Sequence, residues 1–293
     1  MMKKILALFV IINFISCEKS QFSPEKNTTE SDTSNTSHSS NSTTINTDKN
    51  TIKERFSSPK DFVWTETEPG SFGNYIENFE LKKYNAPILK YDGTEIATQN
   101  LHEAVFNIET GTKDLQQCAD AVIRLRAEYL FKTKKFDEIK FHFTSGDLMK
   151  WNDYKNGTRA FVNGNSVTFR KTENFDDSYD NFRKYLDLIF NYSGTISLTK
   201  ETKAVSKTSD LQTGDILITP GSPGHVVFIA GVSQDKKGKK LFLLAQGFSP
   251  AQSIHVMKNP FNKDISPWYE LDVTSAETKT SRYIFKPNDF RRF

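Results

Sequence analysis

The sequence predicts an α+β domain in which helices come first and a mainly antiparallel sheet follows. Residues 115–131 carry apolar side chains at helical spacing. Residues 216–246 contain short apolar runs separated by a glycine-rich loop and a polar turn, which is typical of paired strands. All three tryptophans lie beyond residue 60. Residues 61–293 are therefore predicted to form one globular domain.

The first 17 residues have the pattern of an export signal. Lys3 and Lys4 precede an apolar run over residues 5–15, which is too short to span a bilayer as a mature helix. The run ends at Phe14-Ile15-Ser16-Cys17, which resembles a bacterial lipobox. The resemblance implies that Cys17 is lipidated and anchors the chain to a bacterial membrane, the outer membrane being favoured, with the globular domain outside the cytoplasm. Ordinary secretion with removal of Cys17 is the alternative.

Residues 18–60 consist largely of Ser, Thr, Asn, Lys, Asp and Glu. Such a segment cannot bury enough apolar surface to offset the entropy of ordering it, so it is predicted to be a disordered tether. The formal net charge is only +3, and basic and acidic residues are interleaved, so no nucleic-acid partner is predicted.

The elements of the domain follow from local patterns. Asp92-Gly93 and Asn163-Gly164 are turn signals between apolar runs and predict hairpins. Residues 138–143 alternate as a strand, and residues 181–192 repeat with helical period. Strands are predicted at 216–218, 225–232 and 241–246. The long stretch 140–205 is expected to be an insertion between the first major helix and the strand that begins at His225.

Cys118 lies at the front of the predicted helix 115–131. If Cys17 is lipidated or removed, the sequence offers no second thiol that could form a disulfide with Cys118. A thiol at a helix N-terminus is favoured as thiolate, and a histidine can take its proton and return it to a leaving group. We therefore predict Cys118 as nucleophile, His225 as base and Gln246 as the residue that orients His225. The alternatives are a buried structural thiol, a core histidine and a glutamine bonded to a strand end.

Strand register decides whether His225 and Gln246 meet. A hairpin centred between Lys236 and Lys237 places Gln246 opposite Val227, on the same face as His225. The two side chains are then diagonal neighbours with Cα atoms about 7 Å apart. A slip of one residue would put them on opposite faces.

Four further residues are candidates for substrate binding: Arg159, Gln252, His255 and Trp268. Arg159 could bind a carboxylate with both ends of its guanidinium, and a surface ion pair is the alternative. His255 could act as a second base or flank the pocket as a strand residue, and Trp268 could stack on a ligand or pack in the core. No metal site is predicted, because neither His-x-Glu nor paired-cysteine spacing occurs. No cofactor is predicted.

Two resemblances bear on function. The segment GDILITPGSPGHVVFIAGV resembles the strand pair of NlpC/P60 and CHAP-type cysteine amidases, which implies a papain-like fold and hydrolysis of amide bonds in cell-wall peptides. QCADAVIRLRAEYL, TPGSPGHVVFIAGV and LFLLAQGFSPAQSIHVMKNP together resemble the bacterial lipoprotein family of domain of unknown function 4846. The expectation is a membrane-anchored envelope lipoprotein with a Cys-His-Gln hydrolase site. The alternative is a non-catalytic lipoprotein that binds a peptide, glycan or protein partner through the same groove.

Overall fold

The computed structural model describes residues 45–293, so the predicted signal peptide, Cys17 and most of the predicted tether lie outside the described residues. The helices within this range are α1 (Ile52–Arg55), α2 (Phe72–Glu77), α3 (Cys118–Lys132), α4 (Trp151–Lys155), α5 (Tyr179–Tyr192) and α6 (Thr195–Lys200). Short 3₁₀ helices span Phe136–Glu138, Thr208–Asp210 and Pro287–Asp289. Between residues 45 and 293, none of the helices has the length and apolar character needed to cross a bilayer.

The strands are β1 (Phe62–Trp64), β2 (His102–Val105), β3 (Lys140–His142), β4 (Leu148–Lys150), β5 (Thr158–Asn163), β6 (Ser166–Lys171), β7 (Lys203–Ala204), β8 (Ile216–Thr219), β9 (His225–Asp235), β10 (Lys240–Gln246), β11 (His255–Met257), β12 (Trp268–Tyr269), β13 (Thr278–Lys279), β14 (Ile284–Phe285) and β15 (Phe290–Arg292). The main sheet has the order β2-β11-β10-β9-β8-β15-β7, with β1 also paired to β9 and β12 to β10. Its pairings are antiparallel. The prediction of a mixed fold with a mainly antiparallel sheet is confirmed.

The folded chain begins before the predicted boundary at residue 61. Ile45 pairs with Phe56, and Thr51 pairs with Glu80. Ile52 and Phe56 are fully buried in the core. These few apolar residues are enough to dock the segment, although its overall composition predicted disorder. The expectation of a tether therefore does not hold for residues 45–60.

Apolar side chains of the central strands alternate between the two faces of the sheet. Val226 and Phe228 on β9 pack with the core that contains α3, whereas Val227 and Ile229 pack with a second core on the other face. The C-terminal segment, including Phe285 and Phe290, covers that second face. Helix α3 is buried on nearly all sides, which explains why its apolar residues extend beyond one stripe.

The stretch 140–205 folds as part of the same domain. It contributes the β3–β4 hairpin, α4, the β5–β6 hairpin, α5 and α6. The predicted turn at Asn163-Gly164 is confirmed, because Asn163 pairs with Ser166. Helix α5 has a buried apolar face of Phe182, Tyr185, Leu186 and Ile189, as its periodicity predicts. These residues share one core with α3, so the segment is integral to the domain.

Candidate functional site

A β-bulge sets the position of Gln246. From the turn, β10 pairs with β9 in the register Lys240↔Gln234 to Leu243↔Gly231, and the register then shifts by one residue to Leu244↔Ile229 and Ala245↔Phe228. Continued by one residue, the shifted register places Gln246 beside Val227. Gln246 therefore lies opposite Val227, as the sequence predicts, although the turn of the hairpin is not centred between Lys236 and Lys237. Without the bulge, Gln246 would be displaced by one position relative to His225.

His225 and Gln246 form a direct hydrogen bond. The Nε2 atom of His225 lies 2.7 Å from Oε1 of Gln246. An amide oxygen can only accept, so Nε2 of His225 carries the hydrogen. In the neutral ring the lone pair is then on Nδ1, which is the nitrogen able to take a proton.

His255 continues this arrangement on β11. It is the direct cross-strand partner of Gln246, and its Nε2 lies 3.2 Å from Nε2 of the Gln246 amide. Its Nδ1 lies 2.9 Å from the carbonyl oxygen of Ser253. Because a carbonyl only accepts, Nδ1 of His255 carries the hydrogen and Nε2 accepts from Gln246. One chain of donors therefore runs from His225 to Gln246, from the Gln246 amide to His255, and from His255 to Ser253.

His225 is buried, with 2% of its surface exposed. Its ring centroid lies 5.1 Å from those of Phe248 and Tyr283 and 6.2 Å from that of Phe285. Burial lowers the pKa of His225 to about 4, partly offset by the bond to Gln246. Burial likewise lowers the pKa of His255 to about 3. The glycine-rich loop before β9 therefore leaves the His225 ring enclosed rather than open to solvent.

Gly224 provides close packing instead. A Cβ atom at Gly224 would lie 2.5 Å from Oγ1 of Thr195 and 2.6 Å from the carbonyl oxygen of Gly221. Only glycine fits this approach between the loop that follows β8 and the start of α6. The glycine-rich loop is thus compact, and it positions His225 at the first residue of β9.

Cys118 is the first residue of α3, as its pattern predicts, and it is partly exposed. The backbone N–H of Gln117 donates to the carboxylate of Asp120, at 3.1 Å. Asp114 accepts from the side-chain amide of Gln117 and from the backbone N–H of Ala251. These bonds join the start of the helix to the segment that follows β10. Burial raises the pKa of Asp120 well above its usual range.

The start of α3 and the His225–Gln246 pair lie at the same end of the sheet. A Cβ atom on Gly247, which follows Gln246, would lie 2.8 Å from the carbonyl oxygen of Gln117 and 2.7 Å from Cβ of Ala121. The side chains of Cys118 and Gln246, however, lie on different faces of the sheet. Cys118 packs with the core under α3, whereas Gln246 alternates with Leu244, which belongs to the core of the opposite face.

The other predicted ligand-binding residues do not join this cluster. Arg159 donates to the carbonyl oxygens of Tyr154 and Thr158, and its guanidinium lies 3.9 Å from the centre of the Tyr154 ring. Trp268 is fully buried and packs edge-on against Trp64, which corresponds to the core-packing alternative. Gln252 is buried and pairs through its backbone with Lys90.

Sequence reasoning missed the residues that enclose His225. Phe248, Tyr283 and Phe285 lie around it, and Arg282 lies over the ring of Phe248. Phe248 directly follows Gly247, so proximity to Gln246 could have indicated it. The segment 282–285 is far away in the chain and lacks a motif. No cluster of three or more His, Cys, Asp or Glu side chains that could hold a metal ion occurs between residues 45 and 293.

The Gly-Asp pair before β8 has a structural role. Asp215 is buried and accepts two hydrogen bonds from Arg292, at 2.6 and 2.7 Å, and one from the backbone N–H of Gln212. It therefore ties the turn before β8 to the last strand.

Comparison with known proteins gives one match. A family model described as domain of unknown function 4846 matches residues 52–292. No curated protein and no solved structure matches.

Proposed function

Since this chain belongs to the family of domain of unknown function 4846, whose description names no activity, we propose its function from the geometry. We propose a lipid-anchored envelope hydrolase with a papain-like arrangement, in which Cys118, His225 and Gln246 act on amide bonds of cell-wall peptides. The observation that carries the proposal is the 2.7 Å bond from Nε2 of His225 to Gln246, which leaves Nδ1 as the proton acceptor.

The roles follow from ordinary thiol chemistry. His225 takes the proton of Cys118 at Nδ1, and the thiolate attacks the carbonyl carbon of the scissile amide. His225 then gives the proton to the leaving amine, and a water molecule hydrolyses the thioester. Backbone N–H groups at the start of α3 would stabilise the oxyanion. Gln246 holds the imidazole in the required tautomer.

The burial of His225 is compatible with this chemistry only if a negative charge is supplied. Burial disfavours the imidazolium and lowers the pKa of His225 to about 4. A neighbouring thiolate would favour the charged ring. Side chains of a helix tilt toward its N-terminus, so the first residue of α3 projects beyond the helix end. The proposal requires the thiol to reach His225 around the end of β10, where Gly247 has no side chain.

A second candidate is a non-catalytic envelope protein that binds a peptide, glycan or protein partner at this end of the sheet. It is favoured by one observation: Cys118 packs with the core on the α3 side, while Gln246 and His225 belong to the opposite face. In this candidate Cys118 is structural and the His225–Gln246–His255 chain rigidifies the site.

Alkylation of Cys118 separates the two candidates. The full chain is treated with iodoacetamide over a range of pH, and modification of the Cys118 peptide is followed by mass spectrometry. The hydrolase requires rapid reaction below the ordinary thiol pKa of about 8.5. His225→Gln should slow the reaction at pH 7 at least about tenfold, corresponding to one unit of thiol pKa. Reaction only after unfolding would reject the hydrolase in favour of the binding protein.

His142→Gln is the matched control. His142 lies on the β3–β4 hairpin, where it pairs with Glu201 at 2.9 Å. Its replacement should leave the rate of Cys118 alkylation unchanged. Equal slowing in both variants would indicate a general change in the fold.

Anchoring is tested separately. Metabolic labelling with an alkyne fatty acid should label the wild-type chain and not Cys17→Ser, which should also leave the membrane fraction. Label retained by Cys17→Ser would reject the proposed anchor.

A further inference from the structure

Arg282 is a partly buried cation that lies over the ring of Phe248, one of the aromatic neighbours of His225. Its guanidinium carbon lies 5.6 Å from the centre of the Phe248 ring, and that ring lies 5.1 Å from the ring of His225. The next residue, Tyr283, has its own ring 5.1 Å from His225. Arg282 is therefore separated from the proposed base, His225, by one intervening ring, that of Phe248.

In the described part of the chain, Arg282 lacks the carboxylate partner that Arg124 and Arg292 have. Arg124 pairs with Glu109 and Glu128, and Arg292 pairs with Asp215. Among residues 45–293, no carboxylate lies within ion-pair distance of Arg282, and its contact is the face of Phe248. A cation–π contact offsets only part of the cost of removing a guanidinium from water.

The charge of Arg282 acts on the site electrostatically. Partial burial lowers the pKa of Arg282, as expected for a cation without a compensating anion. Its positive charge also contributes to lowering the pKa of His255. The field of Arg282 therefore reaches His255, and an anion bound in front of Phe248 would be stabilised by it.

We propose that Arg282 binds a carboxylate of the ligand, so that this site selects peptides with a free carboxylate near the scissile or bound amide. The planar guanidinium suits two parallel bonds to a carboxylate, and Phe248 holds the plane in place. The inference rests on the proposed function, because it takes the end of the sheet at Gly247 as the ligand site.

Two alkylating agents of similar size test the proposal on the full chain. Iodoacetate carries a carboxylate and iodoacetamide does not, so the ratio of their rates at Cys118 reports the attraction of an anion. Arg282→Gln should lower the iodoacetate-to-iodoacetamide ratio by about three- to tenfold, the range expected for loss of a partly screened ion pair. Arg282→Lys should keep most of the ratio.

Arg159→Gln is the matched control, because Arg159 is bonded to backbone carbonyls on another part of the domain. The iodoacetate-to-iodoacetamide rate ratio at Cys118 should be the same in Arg159→Gln as in the wild type. A ratio unchanged in Arg282→Gln would overturn the proposal. A wild-type Cys118 that reacts with neither agent would instead contradict the hydrolase, a distinguishable failure.

A second measurement does not depend on Cys118. The Nε–H resonance of Arg282 is assigned by its loss in Arg282→Lys, and the protein is titrated with N-acetyl-alanyl-alanine and with its C-terminal amide. The free carboxylate should shift this resonance several times more than the amide does. Equal shifts, or none with either peptide, would overturn the proposal.

Discussion

Gln246 on β10 lies directly opposite His255 on β11, and its amide nitrogen is 3.2 Å from Nε2 of that histidine. The same amide accepts from His225 through its oxygen. An amide can be rotated by half a turn at little cost in shape, so the acceptor on His255 decides which end of the Gln246 amide faces His225. His255 is therefore a positioning residue in the proposed mechanism.

This arrangement predicts the effect of His255→Leu. The variant removes the acceptor for the Gln246 amide nitrogen and leaves a buried donor without a partner. We expect a loss of about 1–3 kcal/mol in the free energy of unfolding. We also expect the His225 ring to change from one tautomer to a mixture, which ¹⁵N NMR of the imidazole nitrogens detects. His255→Gln, which retains an acceptor, should preserve more of the Nε2–H tautomer. A single unchanged tautomer in His255→Leu would contradict the positioning role.

The parts of this site that the sequence predicted are those formed by residues close together in the chain. The helix that begins at Cys118 and the strands that contain His225 and Gln246 follow from local periodicity, and the structure contains all three. The meeting of His225 with Gln246 was expected from an ideal hairpin, but the real strand achieves it through the bulge at Leu243/Leu244. A bulge depends on packing across the whole sheet, which local alternation does not encode.

The missed features are those formed by distant segments. The enclosure of His225 by Tyr283 and Phe285 depends on the C-terminal segment crossing the face opposite α3. The docking of Ile52 and Phe56 depends on a core completed by later elements. The composition of residues 18–60 as a whole is polar, so it did not indicate that Ile52 and Phe56 would be buried.

The buried histidines predict a specific loss of stability in acid. The pKa values of His225 and His255 are lowered by burial to about 4 and about 3, whereas an unfolded histidine has a pKa of about 6.5. The unfolded chain therefore binds more protons between these values, and stability falls as the pH falls. The contribution is fully present above about pH 6.5 and is lost progressively down to about pH 4 for His225 and about pH 3 for His255, on the order of several kcal/mol in total.

Urea unfolding at several pH values between 7 and 4.5 measures this loss. Carboxylates titrate in the lower part of the range, so the informative quantity is the difference between wild type and the double variant His225→Gln/His255→Gln. The slope of the unfolding free energy against pH should be smaller in the double variant between pH 6.5 and 5. Equal slopes in wild type and double variant would show that neither buried histidine is held neutral.

The close contact between Gly247 and α3 predicts that a side chain at this position would push the helix away from β10. In Gly247→Ala the added Cβ would lie 2.7 Å from Cβ of Ala121 and 2.8 Å from the carbonyl oxygen of Gln117. Because both contacts are with the buried helix rather than a flexible side chain, we expect destabilisation of about 1–3 kcal/mol. The shift of α3 should also alter the rate of Cys118 alkylation. Gly194→Ala is the control, because a Cβ there meets open space and the backbone is extended. A neutral Gly247→Ala would mean that the helix does not rest on this glycine.

The ion pair between Asp215 and Arg292 predicts that the turn before β8 depends on the last strand. Arg292→Ala leaves the Asp215 carboxylate buried with only the backbone N–H of Gln212 as a remaining donor in this group. Since Arg292 itself is about one-third exposed, part of the charge would be solvated in the variant. We expect a loss of about 2 kcal/mol rather than the larger cost of an enclosed pair. Glu270→Ala breaks the exposed pair with Lys239 and should cost less than about 0.5 kcal/mol. Urea midpoints of the two variants compare them directly, and equal midpoints would mean that the Gly-Asp motif is not held by this pair.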